Sequence, residues 1–396
     1  WDTTQIRQGE GKSSTGRRRK KNVNVTDMSV ISYTFELEIT EQDWWDTTQI
    51  RLDHASRAER NKTLPQTALF IIDPQNDFHT GSLAVPGASE DAIRTAKMID
   101  NYGDYIHEIF VSMDSHYPCH IAHACAWVSG EDFKTPPKEF STITNQDVVT
   151  FKWIHIETLN EVKKEMAAAA AKAVKAAAVE KAVAAAKADG TWKSSRKEAS
   201  ESGEEEVENE EGNGQKVPMW KWVKQYTSAL QRKSKMKLII WPEHCIIGSR
   251  GHGIVPVIND ALQRWAEKHS RPITYIMKGQ NLRTEMYSAL MAEVEDSADP
   301  STALNTELLN SLKISDRILI CGQALSHCVN ATTRDLIDHL GKERNHLVLL
   351  KDACSSVKDF EVIGAEFLAH CERKNVGIET TESAFLGYKP ADKEED

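Results

Sequence analysis

The chain has 396 residues, of which 40% are hydrophobic and 27% charged, and its formal net charge is −10. This composition is typical of a globular protein with added polar segments. The acidic balance argues against nucleic acid as the main ligand, because binding to phosphates requires a basic surface. No apolar stretch approaches the roughly 20 residues needed to cross a bilayer, and the first residues do not resemble a secretory signal. We therefore expect neither a nucleic-acid nor a membrane partner.

The seven cysteines are scattered and include no C-x-x-C pair. This pattern favours a reducing compartment over a disulfide framework. We expect a cytoplasmic protein, and the basic run at 17–21 leaves a nuclear location open.

Residues 1–65 show no sustained hydrophobic periodicity, and we predict a mostly disordered leader. The heptapeptide WDTTQIR occurs in it twice, at 1–7 and 45–51. A structural repeat would need a period sustained over several copies, so we infer no function from the duplication.

From Thr67 onward, short apolar strands alternate with amphipathic helices. This alternation predicts an α/β fold, a parallel sheet with helices on both faces. The predicted strands lie at 67–73, 109–114, 237–241, 274–278, 317–322 and 346–352. The predicted helices lie at about 89–107, 255–268, 284–294, 303–312, 327–340 and 359–373.

The alternation is interrupted at 162–216. The first part of this insertion is rich in Ala and Lys, which favour a helix, and the second is an acidic Ser/Glu/Gly run that we predict to be disordered. We expect one catalytic domain split in sequence into 66–161 and 217–388, followed by a tail at 389–396.

Three reactive side chains follow predicted strands. Asp73 and Lys278 end apolar strands, where burying a charge is costly unless it has a partner. Cys328 lies at the predicted start of a helix, which lowers the pKa of a thiol. A structural cysteine is the alternative for any single position. The carboxyl ends of parallel strands meet at one edge of a sheet, so the three together indicate an active site there.

A second group has the side chains of a metal site. Asp114 and His116 end the second predicted strand, and His244 follows the third. Carboxylate and imidazole ligands suit zinc, iron or manganese. His120 and His123 lie close by in the sequence, where they could line a pocket or lie on the surface.

The motifs around these residues resemble those of the isochorismatase-like cysteine hydrolases, and most closely the nicotinamidase-type members. The matching segments, in the family's order, are LFIIDPQNDF, SMDSH, IIWPEHC, MKGQN, TEMYS and CGQALSHCV. The resemblance implies a three-layer fold around a six-stranded parallel sheet. This sequence departs from the family pattern in two places. Ser326 and His327 occupy positions where nicotinamidases commonly have an acidic residue. Compact members of the family also lack an insertion such as the one at 162–216.

The resemblance implies a catalytic triad of Asp73, Lys278 and Cys328. It also implies a cis peptide bond before Ala324, and an oxyanion hole formed by the backbone N–H groups of Ala324 and Cys328. One divalent metal ion, with zinc as the first choice, would be held by Asp114, His116 and His244. Candidates for substrate binding are Phe78, His120, His123 and Trp127.

The activity implied is hydrolysis of a small carboxamide, with nicotinamide to nicotinate and ammonia as the best single example. The partner is then a small-molecule amide, and a homo-oligomer is left open. Another amide or a ureido compound is the alternative substrate. An isochorismate-like vinyl ether is disfavoured, because the resembling isochorismatases lack the metal residues. A non-catalytic relative that binds partners through its acidic run is the alternative of another class.

Overall fold

The computed structural model describes residues 65–188, 217–233, 237–341 and 346–390. The predicted leader up to residue 64, the duplicated heptapeptide, the acidic run and residues 391–396 lie outside the described residues. The proposed division of the chain therefore stays a prediction for those segments. No helix in the described ranges is both long and apolar enough to span a bilayer.

The main sheet has six parallel strands in the order β10-β9-β8-β1-β2-β7. The strands are β1 Thr67–Ile72, β2 Ile106–Asp114, β7 Thr274–Lys278, β8 Arg317–Gly322, β9 Leu347–Leu350 and β10 Gly377–Glu379. Every residue of β1 is buried, which suits a continuous apolar run at the centre of a sheet. The predicted α/β class, with helices covering the sheet, is confirmed.

One predicted strand of this sheet was wrong. The apolar run at 237–241 contributes only β6, Leu238–Ile239, which pairs antiparallel with β4, Thr142–Ile143, outside the main sheet. The sixth strand of the main sheet is β10, a partly buried edge strand whose sequence, GIE, has no apolar run. A second small ladder pairs β3, Trp127–Ser129, with β5, Trp153–His155.

The helices are α1 Asn76–His79, α2 Ala88–Tyr102, α3 Asn145–Val149, α4 Leu159–Ala188, α5 Met219–Lys233, α6 Pro256–His269, α7 Thr306–Lys313, α8 Cys328–His339 and α9 Glu361–Arg373. The helix predicted at 284–294 is absent from this described stretch, which is an irregular loop. The Thr284 hydroxyl donates to the carbonyl of Val294, and Glu293 N donates to Glu285 O, so local hydrogen bonds hold the loop without a helix.

One helix lies largely within the insertion, and another follows it. The Ala/Lys-rich segment forms α4, which is 30 residues long and therefore about 45 Å. Its first turns pack on the domain, since Val162 is buried with Val128 and Ile154, but almost all later side chains are exposed. The helix α5 was not predicted. It buries the face formed by Trp222, Val223, Tyr226, Thr227 and Leu230.

Candidate active site

The side chains of Asp73, Lys278 and Cys328 meet at the carboxyl edge of the main sheet. Asp73 directly follows β1, Lys278 ends β7 and Cys328 begins α8. The Nζ atom of Lys278 lies 3.0 Å from Oδ2 of Asp73 and 3.6 Å from Sγ of Cys328. All three residues are buried. The sheet therefore brings together the three side chains that the sequence singled out.

Further contacts fix the orientation of two of these groups. The Ser112 hydroxyl donates to Oδ1 of Asp73 over 2.6 Å. The ammonium of Lys278 also donates to Oδ1 of Asp114 over 2.9 Å and to the carbonyl of Met286 over 3.2 Å. Each polar group has a defined partner, so the cluster is preorganised.

Burial sets the protonation chemistry of the site. It raises the pKa of the Cys328 thiol well above its usual range, and the nearby Lys278 ammonium offsets this only in part. Burial also raises the pKa of Asp73, against the opposing charge of Lys278. The sequence-based expectation of a lowered thiol pKa at the helix start was wrong, because desolvation outweighs the favourable charge. The direction of this shift favours the protonated form of the thiol.

The loop before Cys328 presents two backbone donors. The Gln323–Ala324 peptide bond is cis. The carbonyl of Ala324 accepts hydrogen bonds from His327 N and Val329 N, which ties the loop to the start of α8. Within the described residues, no hydrogen bond uses the N–H of Ala324 or of Cys328. Both donors remain free for a ligand oxygen.

Asp114, His116 and His244 form a compact, fully buried cluster. Oδ2 of Asp114 lies 3.0 Å from Nε2 of His116 and 3.1 Å from Nε2 of His244. The Nδ1 atoms of the two rings lie 3.0 Å from Gly279 O and 2.8 Å from Pro242 O. A carbonyl partner fixes the proton on Nδ1 and leaves the Nε2 lone pair for a metal. One ligand atom from each residue lies within 4.8 Å of the others, so the donor set fits a divalent ion.

Further potential metal ligands lie next to this cluster. Nε2 of His123 is buried and has no hydrogen-bond partner among the described residues, and burial lowers its pKa to about 3. Its ring centroid lies 5.4 Å from that of His116 and 5.7 Å from that of His244. His116 and His120 form a second possible ligand group with Glu285, whose pKa is raised by burial.

A small cavity opens beside the thiol. Its lining consists of Phe78, Leu83, Asp114, Trp241, His244, Glu285, Tyr287, Ala324, His327, Cys328 and Val357. Of the four substrate-binding candidates, only Phe78 belongs to this lining. His120 and His123 lie beside the cluster of Asp114, His116 and His244 instead. Trp127 is a core residue whose Nε1 donates to the carbonyl of Ile121 over 2.7 Å.

No protein-family model matches the sequence, and no curated protein matches it significantly. Solved structures do match. The yeast nicotinamidase is 19% identical with a TM-score of 0.46, and the match covers 79% of this chain and 99% of that one.

Two further structures have similar coverage. A nicotinamidase pyrazinamidase from Acinetobacter baumanii is 16% identical with a TM-score of 0.45, over 81% of this chain and 99% of that one. The N-carbamoylsarcosine amidase from Thermoplasma acidophilum is 13% identical with a TM-score of 0.36, over 80% and 97%.

The fold seen in this chain itself is α/β, with a six-stranded parallel sheet and helices that cover it.

Several residues of the cavity lining were not predicted from the sequence. Trp241, Glu285 and Tyr287 lie in the segments IIWPEHC and TEMYS, two of the motifs that carry the resemblance. Nε1 of Trp241 donates to the hydroxyl of Tyr287 over 3.0 Å, which fixes one wall of the cavity. The two motifs could therefore have identified these residues as candidates for the cavity lining.

Proposed function

We propose that the protein is a metal-dependent cysteine amidohydrolase of small carboxamides, with nicotinamide as the best single substrate. The observation that carries this proposal is the position of Lys278, whose ammonium lies between the Asp73 carboxylate and the Cys328 thiol. A nucleophile, a base and a fixed positive charge then lie within contact distance beside two unused backbone donors.

In the first half of the reaction, Asp73 removes the proton from Sγ of Cys328 as sulfur attacks the amide carbon. Lys278 stabilises the negative charge on sulfur. The backbone N–H groups of Ala324 and Cys328 donate to the substrate oxygen as it becomes an oxyanion. When the C–N bond breaks, Asp73 returns its proton to the nitrogen, and ammonia leaves a thioester on Cys328.

In the second half, Asp73 takes a proton from a water molecule that attacks the thioester carbon. The C–S bond breaks, the proton returns to sulfur and the carboxylic acid is released. The raised pKa of Asp73 suits a group that accepts and returns a proton in each half-reaction.

Asp114, His116 and His244 would hold one divalent ion, with zinc as the first choice and iron or manganese as alternatives. When bound, such an ion supplies Lewis acidity and a fixed positive charge at one side of the cavity. The ion would also offset the charge of Asp114. Burial alone would raise the pKa of this carboxyl, but the charges of His116 and Lys278 outweigh burial and hold it well below its usual range.

The cavity lining supports a flat, uncharged substrate. Phe78, Trp241 and Tyr287 provide aromatic surface that can pack on a planar ring. Asp114 and Glu285 are the acidic residues of the lining, and among its described residues there is no Lys or Arg.

A screen for ammonia release over a panel of carboxamides and ureido compounds, with and without a chelator, tests the proposal. We expect turnover of nicotinamide that depends on metal and is abolished in Cys328→Ala. Turnover restricted to a ureido compound would move the substrate assignment to that alternative. No turnover of any compound by metal-loaded protein would contradict the enzyme assignment and favour a binding role.

A further inference from the structure

Gln323, the residue before Ala324, is held by hydrogen bonds to three separate segments of the chain. Its backbone N–H donates to the carbonyl of Ile72, at the end of β1, over 2.8 Å. Its side-chain Nε2 donates to Oδ2 of Asp91 over 2.9 Å, and its Oε1 accepts from Ser355 N over 3.3 Å. Gln323 is 1% exposed, so these bonds form away from water, where they are stronger.

The two side-chain partners also fix which way the amide of Gln323 points. An ionised carboxylate only accepts a hydrogen bond and a backbone N–H only donates one, so Nε2 faces Asp91 and Oε1 faces Ser355. Asp91 is itself buried in the first turn of α2, and its other oxygen, Oδ1, accepts from Nη2 of Arg94 over 2.7 Å. The arginine thus leaves Oδ2 for Gln323, and a charged acceptor makes a stronger hydrogen bond than a neutral one.

These contacts lie on both sides of Ala324, whose N–H is one of the two donors proposed for the substrate oxygen. The preceding residue, Gln323, accepts from Ser355 N, and the N–H of the following residue, Leu325, donates to Ser355 O over 2.8 Å. The nitrogen of Ala324 belongs to the same planar peptide group as the carbonyl of Gln323, so the backbone of Gln323 sets the direction of that N–H. Such a donor aids catalysis when it already points to the place where the oxyanion forms.

We propose that Asp91 and Gln323 are positioning residues, which hold the N–H of Ala324 in the direction that the oxyanion requires. Neither residue belongs to the lining of the cavity beside Cys328, so they act through the backbone and not by touching the substrate. This inference rests on the proposed function and goes beyond it, because it gives a buried pair outside the cavity an effect on the rate. Loss of the pair should lower kcat more than it raises KM, since the donor matters most in the transition state.

The test exchanges donor and acceptor within the pair. Gln323→Glu places a second carboxylate against Asp91 and should lower kcat for nicotinamide by about 10²-fold, with KM changed by less than about threefold. In the double variant that combines Asp91→Asn with Gln323→Glu, the Asn amide donates and the Glu carboxylate accepts, so the hydrogen bond is restored with its direction reversed. The double variant should recover about tenfold or more of the lost kcat.

Asp100→Asn is the matched control. Asp100 lies on the same helix, α2, and pairs with Arg264 over 2.8 Å, but it is 41% exposed. This variant should keep the wild-type kcat. A double variant no more active than Gln323→Glu, or a loss that lies in KM alone, would overturn the inference.

Gln323→Met provides a second route if Gln323→Glu does not fold. Met has a similar length and no charge, and it removes both side-chain hydrogen bonds, so kcat should fall by about tenfold. Circular dichroism checks that each variant is folded. A folded Gln323→Met variant with the kcat of the wild type would also overturn the inference.

Binding of pyridine-3-carbaldehyde, the aldehyde that corresponds to nicotinamide, separates this inference from the proposed function. The sulfur of Cys328 bonds to the aldehyde carbon, the π electrons of the C=O bond move to oxygen, and this oxygen takes the thiol proton. The adduct therefore has a tetrahedral carbon whose oxygen lies beside the same two donors, and carbon-13 NMR of the labelled aldehyde measures its formation.

If the wild-type protein forms this adduct but hydrolyses no carboxamide, the proposed function fails while the positioning role is still decided. Aldehyde affinity should then be about tenfold weaker in Gln323→Glu and should recover in the double variant. Unchanged affinity in Gln323→Glu would contradict the positioning role. Wild-type protein with neither turnover nor adduct would overturn both proposals.

Discussion

Replacing Lys278 with Met should both destabilise the protein and remove its activity. The Lys278 ammonium is buried and contacts the carboxylates of Asp73 and Asp114 at 3.0 and 2.9 Å. Met has a similar length but leaves both carboxylates buried without that cation. Breaking a buried ion pair on one side costs about 3–5 kcal/mol. At about 2–4 °C per kcal/mol, we expect the melting temperature to fall by about 10 °C.

Lys152→Met is the matched control, since Lys152 makes an ion pair with Asp147 at 2.8 Å but is 64% exposed. An exposed pair contributes about 0–1 kcal/mol, so its loss should move the melting temperature by no more than about 4 °C. Differential scanning calorimetry compares the two variants with the wild type, and ammonia release should fall at least about 10²-fold only in Lys278→Met. Similar melting temperatures for the two variants would refute the reasoning about burial.

Replacing 168–215 with a short Gly/Ser linker should keep amidase activity and change the unfolding free energy by less than about 1 kcal/mol, because exposed Ala side chains bury almost no area; insoluble or inactive protein would show that the segment packs on the domain. Val162→Ala should lower the free energy of unfolding in denaturant by about 1.5 kcal/mol, since it removes two buried methyl equivalents. Val174→Ala, at a position 70% exposed, should leave this free energy unchanged. Equal effects of the two variants would contradict the conclusion that only the first turns of α4 pack on the domain. His116→Ala should lower the metal content of purified protein from one ion per chain, as measured by elemental analysis, and an unchanged content would remove this residue from the site. Because burial raises the pKa of Asp73 and the base must be ionised, kcat/KM should fall on the acid side with an apparent pKa above 3.8, with circular dichroism confirming that the protein stays folded; a profile flat to pH 4 would exclude Asp73 as the base.

The meeting of Asp73, Lys278 and Cys328 could be predicted because the fold class fixes where strand ends meet. Asp114 and Lys278 are register partners at the ends of β2 and β7, and Ile72, directly before Asp73, pairs with Gly322. Once parallel strands are assigned, reactive side chains that follow them have to share one edge. The order of the strands was not needed for that conclusion.

The parts that could not be predicted depend on tertiary packing. Hydrophobicity alone does not show whether the apolar run at 237–241 or the short strand β10 joins the main sheet. Tertiary packing decides which segment lies beside β9. The Cys328 thiol pKa was predicted in the wrong direction, because the sequence shows the helix start but not the depth of burial. The cavity walls include Trp241 and Tyr287, which lie outside the regular helices and strands. Hydrophobic periodicity therefore cannot predict which way these two side chains point.

The central claim is that Cys328 forms a covalent bond to the acyl group of a carboxamide. Alkylation rates are a poor test, because Cys119 and Cys125 are exposed and would also react. Mass spectrometry of protein that is quenched in acid during turnover is more direct. We predict a thioester adduct with the mass of the acyl group on the peptide that contains Cys328, and neither adduct nor ammonia release in Cys328→Ala. An adduct on another residue, or continued turnover by Cys328→Ala, would contradict the account.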